Sequence, residues 1–239
     1  VQGAGGGWTY TPNLNFGGTD SFTYTITDRG DPDGTAANAI TTAPITVSIT
    51  VTPLNDAPVI AAVANPTVAE GSPLVIDFDA TDVENNTLTW SLVGPPAGAT
   101  INAATGVLTF TPTDGPATIP ITVRVADNGS PSRFATRTID VEVVNVAPTL
   151  TLTGAASVDQ GASYTLNLAS ADPGTDTITG WTINWGDGTT TDVAGNPASV
   201  NKTYALGGST YTITATATDE DGTYASNAID VAVIAPNTA

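Results

Sequence analysis

One short motif returns along this chain at a nearly constant interval. Its full form is Leu54-Asn55-Asp56-Ala57-Pro58-Val59, and reduced forms occur at Ala147-Pro148 and Ala235-Pro236. The three prolines are 148 − 58 = 90 and 236 − 148 = 88 residues apart. A fixed period of this length, each time after an alternating apolar run, is typical of tandem domains. We therefore interpret the motif as a hinge between domains.

The residue usage favours small β-domains over helices. The 239 residues include 24 Gly and 17 Pro, together with many Thr, Val and Ile. β-branched residues suit strands, and Gly and Pro suit the turns between them. Ninety residues are enough for one small β-sandwich. We predict an all-β fold made of tandem Ig-like or cadherin-like β-sandwich domains in an elongated array.

Alternating apolar residues predict the individual strands. They are Phe22/Tyr24/Ile26 and Ile45/Val47/Ile49/Val51 in the first domain, Leu74/Ile76/Phe78, Leu88/Trp90/Leu92, Leu108/Phe110, Ile121/Val123/Val125 and Ile139/Val141/Val143 in the second, and Leu150/Leu152, Tyr164/Leu166/Leu168, Trp181/Ile183/Trp185, Tyr211/Ile213/Ala215 and Ile229/Val231/Val233 in the third. The predicted domains are residues 1–55, 56–146 and 147–239. The period places the start of the first domain before Val1, so we expect that domain to be truncated.

The charge balance points to a cation as the natural partner. The chain has 23 acidic and 5 basic residues and a net charge of −18. Such a chain repels nucleic acid and anionic membranes, and we expect neither as a partner. Self-repulsion of this size destabilises a compact fold unless salt screens it or bound metal neutralises it. We expect a medium rich in salt or divalent ions.

The missing residue types exclude much catalytic chemistry. There is no Cys and no His, which removes thiol nucleophiles, thiolate metal sites, the commonest general base and the commonest ligand of transition metals. Paired carboxylates remain, but they fall in the predicted turns at the ends of sandwiches rather than in a cleft. No apolar run approaches the length that spans a bilayer. We do not expect an enzyme, nor insertion of this segment into a membrane.

Acidic residues keep the same register as the predicted core. Between the second and third domains, Glu70-Gly71 corresponds to Gln160-Gly161 and Asp82 to Asp172, each at an offset of 90 residues, and Asp127 corresponds to Asp219 at 92. Hard cations such as calcium take six to eight oxygen ligands, which loops from two neighbouring domains can supply. The candidates near the first hinge are Asn55, Asp56, Asp82, Glu84 and Asp127. Whether these loops converge depends on a strand order that the sequence leaves open.

The second domain resembles a cadherin-like repeat of bacterial or archaeal surface adhesins. The residues that carry the resemblance are Asn55-Asp56 with Pro58, Glu70-Gly71, Asp82-Val83-Glu84, Thr105-Gly106-Val107-Leu108 and Ala126-Asp127-Asn128-Gly129-Ser130-Pro131. In such arrays the acids resemble ligands of calcium ions that stiffen the junction between domains. The resemblance assigns Asn55, Asp56, Asp82, Glu84 and Asp127 to the first junction, and Glu70, Asn145, Asp172 and Asp219 to the second.

The chain departs from the family pattern at both junctions. The family linker has one more residue between the Asp and the Pro than Asp56-Ala57-Pro58 has. Asn145-Val146 lacks the linker Asp, and Gln160 stands where the family has Glu at the corresponding place in the third domain. No clear Asp-Arg-Glu triplet follows Leu108. We therefore expect the second junction to bind calcium more weakly than the first, or not at all.

The third domain resembles a polycystic-kidney-disease (PKD) domain. The matching residues are Trp185-Gly186-Asp187-Gly188-Thr189-Thr190, Tyr204, Tyr211-Thr212-Ile213 and Thr218-Asp219-Glu220-Asp221-Gly222. PKD domains generally act as extracellular spacers or interaction modules. Asp187-Gly188 predicts a tight turn. Trp181 and Trp185 fall on one face of a predicted strand, and Trp90 lies on the apolar face of another. We interpret all three as core residues rather than as a sugar-binding platform.

The partial first domain also resembles these adhesin repeats, through Trp8-Thr9-Tyr10-Thr11-Pro12 and Gly18-Thr19-Asp20-Ser21-Phe22-Thr23-Tyr24. It contains an acidic run, Asp28-Arg29-Gly30-Asp31-Pro32-Asp33-Gly34, whose neighbouring carboxylates repel one another. The run lacks the distal Glu of an EF-hand loop. It is either a plain acidic turn or a local ion site.

These features predict an extracellular, structural or adhesive repeat segment, a calcium-stiffened spacer of a large cell-surface or secreted protein. Its expected partners are neighbouring repeats or copies of itself, with cell-surface or matrix ligands held by parts outside the segment. The alternative is a subunit of a surface filament or sheath in which a strand from one copy, with residues 229–234 as the candidate donor, completes the truncated domain of another. A third option is a spacer attached to a secreted hydrolase.

Overall fold

The computed structural model describes residues 7–28, 37 and 39–237, and all the elements of two or more residues within them are β-strands. The predicted all-β fold is therefore confirmed. Among these residues no helix is long and apolar enough to cross a membrane. The chain forms two compact units. The first unit is Val1–Val59, Thr81–Leu88 and Ala126–Phe134, and the second unit is Ile60–Ala80, Thr89–Val125 and Ala135–Ala239.

The first unit contains an antiparallel pair of strands, β1 (Gly18–Tyr24) and β2 (Ile45–Val51). Both strands are predicted by their alternating apolar residues, and the Trp8 ring lies 5.9 Å from the Phe22 ring. The ladder pairs Tyr24 with Ile45, but the next bridge pairs Thr27 with Thr41. The register therefore changes by one residue, as in a β-bulge, and the regular strand ends before Ile26.

The central region, which we define as residues 60–80, 89–125 and 135–144 of the second unit, is a β-sandwich. The strands in or bordering it are β3 (Val59–Ile60), β4 (Thr67–Ala69), β5 (Leu74–Asp77), β6 (Ala80–Thr81), β7 (Thr89–Val93), β8 (Thr100–Ile101), β9 (Val107–Phe110), β10 (Ala117–Ala126) and β11 (Phe134–Val144). They form sheets with the orders β4-β11-β10-β7, β5-β9-β8 and β3-β6. The buried hydrophobic side chains are Phe78, Trp90, Leu108, Phe110, Ile121, Val123, Val125, Ile139, Val141 and Val143. All of them belong to the predicted alternating runs.

The C-terminal region, residues 145–237 of the second unit, has its own two main sheets. Its strands are β12 (Thr149–Gly154), β13 (Ser157–Asp159), β14 (Ser163–Ala171), β15 (Gly180–Asn184), β16 (Thr190–Ala194), β17 (Ser199–Thr203), β18 (Ser209–Thr218), β19 (Thr223–Ala225) and β20 (Ile229–Ile234). One sheet has the order β12-β14-β17, and the other has β13-β20-β18-β15-β16 with β19 paired to β18. Trp181 and Trp185 are buried in the core between them, and Trp90 is buried in the central region. The interpretation of all three as core residues is confirmed.

The predicted turn at Asp187-Gly188 connects β15 to β16. Gly188 has φ 86°, a left-handed conformation that suits glycine. Lys202 Nζ lies 2.9 Å from Asp187 Oδ2 and 5.6 Å from the Tyr204 ring centre. Burial opposes the charge on Asp187, but hydrogen bonds from Thr189 and Lys202 outweigh it and hold the pKa of Asp187 below its usual range.

The sequence did not predict the shortest or the most polar strands. β3, β6 and β8 have two residues each, and β17 carries one large apolar residue, Val200. Such segments form strands because a neighbouring strand offers its backbone, and their own periodicity is too short to show it. The division into domains at residues 55 and 146 stays a prediction.

We predict that replacing a buried leucine destabilises the C-terminal region far more than the same change at its surface. Leu166 is 0% exposed and Leu206 is 71% exposed. Leu166→Ala leaves a cavity and should lower the free energy of unfolding by about 2 to 5 kcal/mol. Leu206→Ala, the matched control, should change it by less than about 0.5 kcal/mol. Denaturant unfolding followed by Trp fluorescence measures both, and equal losses would show that the core has been wrongly assigned.

Candidate functional site

In the first unit, the side chain of Asn55 joins three chain segments. Its Nδ2 donates hydrogen bonds to Asp127 Oδ2 at 2.9 Å and to the Pro131 carbonyl at 3.0 Å. Its Oδ1 accepts a hydrogen bond from Asn86 Nδ2 at 2.7 Å. A Cβ at Gly129 would overlap the Asn55 side chain, so this close packing requires glycine there. The hinge residue Asn55 is thus fixed by polar contacts to two loops.

The loop after β6 supplies the other acids of this group. Asp82 Oδ1 accepts hydrogen bonds from the backbone N–H groups of Glu84 and Asn86, both at 3.1 Å. Glu84 Oε2 accepts one from the Asp56 N–H at 3.2 Å. The structure therefore brings together all five residues predicted for the first junction: Asn55, Asp56, Asp82, Glu84 and Asp127. We call this set the first cluster.

The oxygens of the first cluster are mostly occupied by N–H donors. Burial opposes the charge on Asp127, but hydrogen bonds from Arg133, Asn55 and Gly129 outweigh it, and the pKa of Asp127 is lowered. Asp82 Oδ2 is different, because it is buried without a hydrogen-bond partner. Buried acceptors are normally satisfied by protein, water or an ion. Asp82 Oδ2 is therefore the atom of this cluster that is most open to a cation.

In the second unit, three carboxylates meet at one point. One oxygen from each of Glu70, Asp114 and Asp176 lies within 4.8 Å of the others. Glu70 is 1% exposed, and its oxygens accept hydrogen bonds from the N–H groups of Gly115 at 2.8 Å and Val146 at 2.7 Å. These backbone donors orient Glu70, but they leave the charge of the group uncompensated.

Further acids of the second unit have buried oxygens without a hydrogen-bond partner. They are Oδ2 of Asp172, Oδ2 of Asp219 and both carboxylate oxygens of Asp176. Asp219 is 6% exposed, and its other oxygen accepts hydrogen bonds from the backbone of its own turn. Leaving buried acceptors unpaired is costly. A hard cation is the ligand that would satisfy such oxygens.

The linker residue Asn145 contacts the turn that contains Asp219 and Asp221. Its Nδ2 donates a hydrogen bond of 2.5 Å to Asp221 Oδ2 and one of 3.4 Å to the Tyr224 hydroxyl. Burial, together with nearby carboxylates, raises the pKa of Asp176 to about 7; these carboxylates belong to Glu70, Asp172, Glu220 and Asp221. We call the group around Asp176 the second cluster. Its members are Glu70, Asp114, Asn145, Asp172, Asp176, Asp219, Glu220 and Asp221.

The second cluster contains all four residues predicted for the second junction, and the sequence reasoning missed two that lie at its centre. Asp176 follows Asp172 by four residues, so it does not fit the spacing of two residues seen in Asp82-Val83-Glu84. Asp114 stands in the Thr-Asp-Gly turn after β9, without the Arg-Glu that the family triplet would add. An acid just before Gly after the Thr-Gly-x-Leu strand was the signal available. In the acidic run that begins at Asp28, residues 29–34 lie outside the described residues.

Comparison with models of known families assigns this chain to a family. Residues 1–50 and 55–142 match the family model of the bacterial Ig domain. The chain belongs to the bacterial Ig domain family. Residues 145–234 match the model of the PKD domain, so the predicted resemblance of the C-terminal region to a PKD domain is confirmed. Ig-like and PKD repeats of this kind are typical of extracellular surface proteins and are typically non-catalytic.

Individual relatives match only in part. Chitinase A from Pseudoalteromonas piscicida is 31% identical over 122 residues, which are 50% of this chain and 15% of that protein. Domains 3–6 of protocadherin gamma B2 are 16% identical and have a TM-score of 0.45, over 91% of this chain and 59% of theirs. The PKD domain of an M14-like peptidase from a Thermoplasmatales archaeon is 28% identical and has a TM-score of 0.32. The match covers 37% of this chain and 97% of that PKD domain.

We predict that, with a chelator present to remove metal ions, the free energy of unfolding of the second unit falls as the pH rises from about 4 to 7. The pKa of Asp176 is raised from 3.8 to about 7, so folding favours its protonated form and the unfolded chain binds fewer protons in this range. Thermal unfolding at a series of pH values should show this slope, and Asp176→Asn, which cannot ionise, should make it shallower. Identical slopes for both proteins would contradict the assigned environment of Asp176.

Proposed function

We propose that this chain is a calcium-stiffened spacer segment of an extracellular protein. The observation that carries the proposal is the second cluster, where four buried carboxylate oxygens lack hydrogen-bond partners. These oxygens belong to turns of the C-terminal region, which we call the PKD region. Glu70 and Asp114, which lie beside Asp176, belong to the central region, which we call the Ig region. Calcium takes carboxylate, amide and carbonyl oxygens in flexible geometry, which suits ligands that come from several loops. An ion held there would bind both regions at once.

Calcium also fits the overall charge. The chain carries a net charge of −18. In the second cluster several carboxylates lie close together, and burial strengthens the repulsion between them. A divalent ion removes this repulsion and satisfies the unpaired oxygens. The ion binds the folded chain and not the separated loops. Its binding free energy therefore stabilises both the fold and the contact between the two regions. The expected result is a hinge at residues 145–148 that is stiff with calcium and flexible without it.

The first cluster is the second proposed calcium site of this spacer. Its proposed ligands are Asn55, Asp56, Asp82, Glu84 and Asp127. The expectation that it binds more tightly than the second cluster stays a prediction. The buried free oxygen of Asp82 supports binding at the first cluster, whereas the larger number of free oxygens around Asp176 supports the second. Separate titration of Asp82→Asn and Asp176→Asn assigns each affinity.

The partners and location follow from the same proposal. The spacer contacts neighbouring repeats or copies of itself, while cell-surface or matrix ligands belong to other parts of the protein. The net charge argues against nucleic acid as a partner, and the lack of a long apolar run in the sequence argues against membrane insertion by this segment. The partial match to chitinase A supports a spacer joined to a secreted hydrolase, with this chain itself non-catalytic.

We predict that calcium stabilises the second unit and that the second cluster is responsible. At a free calcium concentration about 100 times Kd, binding should add about 2.7 kcal/mol to the free energy of unfolding. Thermal unfolding and isothermal titration calorimetry measure this gain. Asp176→Asn should remove most of it, while Asp192→Asn, an exposed control on β16, should retain it. An equal calcium effect in both variants would place the ion elsewhere.

The stiffness of the hinge requires its own measurement. The chain has no cysteine, so Val75→Cys and Thr153→Cys introduce one exposed spin-label site in each region of the second unit. Pulsed electron paramagnetic resonance should give a narrow distance distribution with calcium and a broad one with chelator. A distribution that stays the same in both conditions would contradict the stiffening role.

The alternative function, a subunit of a surface filament, has one observation in its favour. Among the described residues of the first unit, the β1–β2 sheet has two strands, and Trp8, Ile26 and Ile40 are more than half exposed. Open strand edges with apolar side chains accept further strands. The predicted donor is wrong, however. β20 lies between β13 and β18, so both of its edges are already paired.

We expect sedimentation to distinguish the two functions. A filament subunit forms elongated, concentration-dependent assemblies through the exposed apolar residues beside β1–β2, whereas a spacer forms none through these residues. Trp8→Ser and Ile26→Ser should then abolish the assemblies, with Val75→Ser as an exposed control in the second unit. Assemblies that resist both first-unit substitutions would exclude these residues as their cause.

A further inference from the structure

We infer that cation binding at the second cluster is coupled to the docking of one loop, residues 172–176, on the turn at Gly71, and that Gly71 is the positioning residue for this site. This inference rests on the proposed function, because it concerns how the same cation is held. It adds that the site is assembled by direct contact between the two regions, rather than by the ion alone.

The loop of the PKD region lies directly on the Ig region. Thr175 donates two hydrogen bonds to the Thr113 carbonyl, from its N–H at 2.8 Å and from its hydroxyl at 3.0 Å. A Cβ at Gly174 would lie 2.8 Å from Glu70 Cδ, so the loop backbone packs against this buried carboxylate. Thr113 immediately precedes Asp114. The docked loop therefore carries Asp172 and Asp176 to Glu70 and Asp114.

Gly71 makes room for the docked loop. Its φ is +68°, and a Cβ there would lie 2.5 Å from the Pro173 carbonyl oxygen and 2.9 Å from Pro173 Cβ. The obstructing atoms belong to a backbone carbonyl and a proline ring, which cannot rotate away as the end of a flexible side chain could. The Gly71 N–H is also held by a 2.8 Å hydrogen bond to the Pro112 carbonyl. A larger residue at this position would displace the loop.

The chain contains a matched glycine without a docked loop. Gly161 follows Gln160 as Gly71 follows Glu70, its φ is +78°, and its N–H donates to the Tyr204 carbonyl at 3.0 Å. A Cβ at Gly161 would meet no atom within 4 Å. Both glycines answer the same backbone requirement of a left-handed turn. The close approach of another loop is specific to Gly71.

Docking and cation binding must therefore favour each other. Docking places the carboxylates of Asp172 and Asp176 beside those of Glu70 and Asp114, which repel one another unless a cation lies among them. A cation, in turn, needs oxygens from both regions to complete its ligand shell. By thermodynamic linkage, docking raises cation affinity by the same factor by which the cation favours docking, so a substitution that prevents docking lowers cation affinity.

The test compares Gly71→Ala with Gly161→Ala in the full chain. Both introduce the same side chain at a left-handed position, but only the first obstructs docking. Calcium titration calorimetry should show that Gly71→Ala weakens binding at the second cluster by about 10- to 100-fold, the usual effect of removing support for metal ligands. Gly161→Ala should leave the affinity within about twofold. The step that belongs to the second cluster is the one that Asp176→Asn removes.

The distance between labels at Val75→Cys and Thr153→Cys is the second readout. In saturating calcium it should be narrow for the wild type and Gly161→Ala but broad for Gly71→Ala. If Gly71→Ala does not fold, Thr175→Val, which removes the hydroxyl donor to Thr113, should weaken binding and broaden the distance to a smaller degree.

The outcomes separate this inference from the proposed function. If the wild-type chain binds no calcium at the second cluster, both are wrong. If the wild type binds calcium, and Gly71→Ala binds it with the same affinity and the same narrow distance, then the coupling is wrong while the calcium-binding spacer stands. Equal weakening by Gly71→Ala and Gly161→Ala would also overturn the coupling, because the shared backbone strain would then explain the effect.

Discussion

Buried carboxylate oxygens without partners are the constraint on which the second unit depends. Asp172, Asp176 and Asp219 all stand in turns, where a strand has ended and the backbone no longer supplies a regular set of donors. Glu70 is also buried, but backbone N–H groups hold both of its oxygens. Burying several like charges together opposes folding, and a positive ligand among them would remove this repulsion. The charge pattern and the fold thus point to the same chemistry.

The sandwiches supply the rigidity that such a cluster needs. The buried residues of the C-terminal region form one continuous core, with Trp181, Trp185 and Tyr204 among its largest members. Strands anchored in this core fix where their turns begin and end, so Asp172 follows β14 and Asp219 follows β18 at defined positions. Loops held in this way would lose little further entropy on binding an ion. The core therefore determines the geometry of the acids without containing any of them.

Related turns of the chain have diverged in chemistry. The Gly71 N–H donates to the Pro112 carbonyl in the Ig region, and the Gly161 N–H donates to the Tyr204 carbonyl in the PKD region. By this equivalence Glu70 corresponds to Gln160, a neutral amide, and Asp114 corresponds to Leu206, an exposed apolar residue. The backbone of the turn is retained, including its left-handed glycine. A tandem array can thus keep one fold and vary the charge of each junction. Hinges along such a chain need not share one stiffness.

The sequence by itself determined the all-β class, the main strands and most of their core faces, because alternation with a period of two depends only on local order. The resemblance to cadherin-like repeats also predicted which acids of the first cluster lie together, although the sequence left open the strand order on which their convergence depends. Only the tertiary structure brought Asp114 to Asp176, which are 62 residues apart in sequence, and revealed the contact between Gly71 and Pro173. Both depend on how one region packs on the other. Local periodicity carries no information about that packing, so only the folded chain could decide where the charges meet.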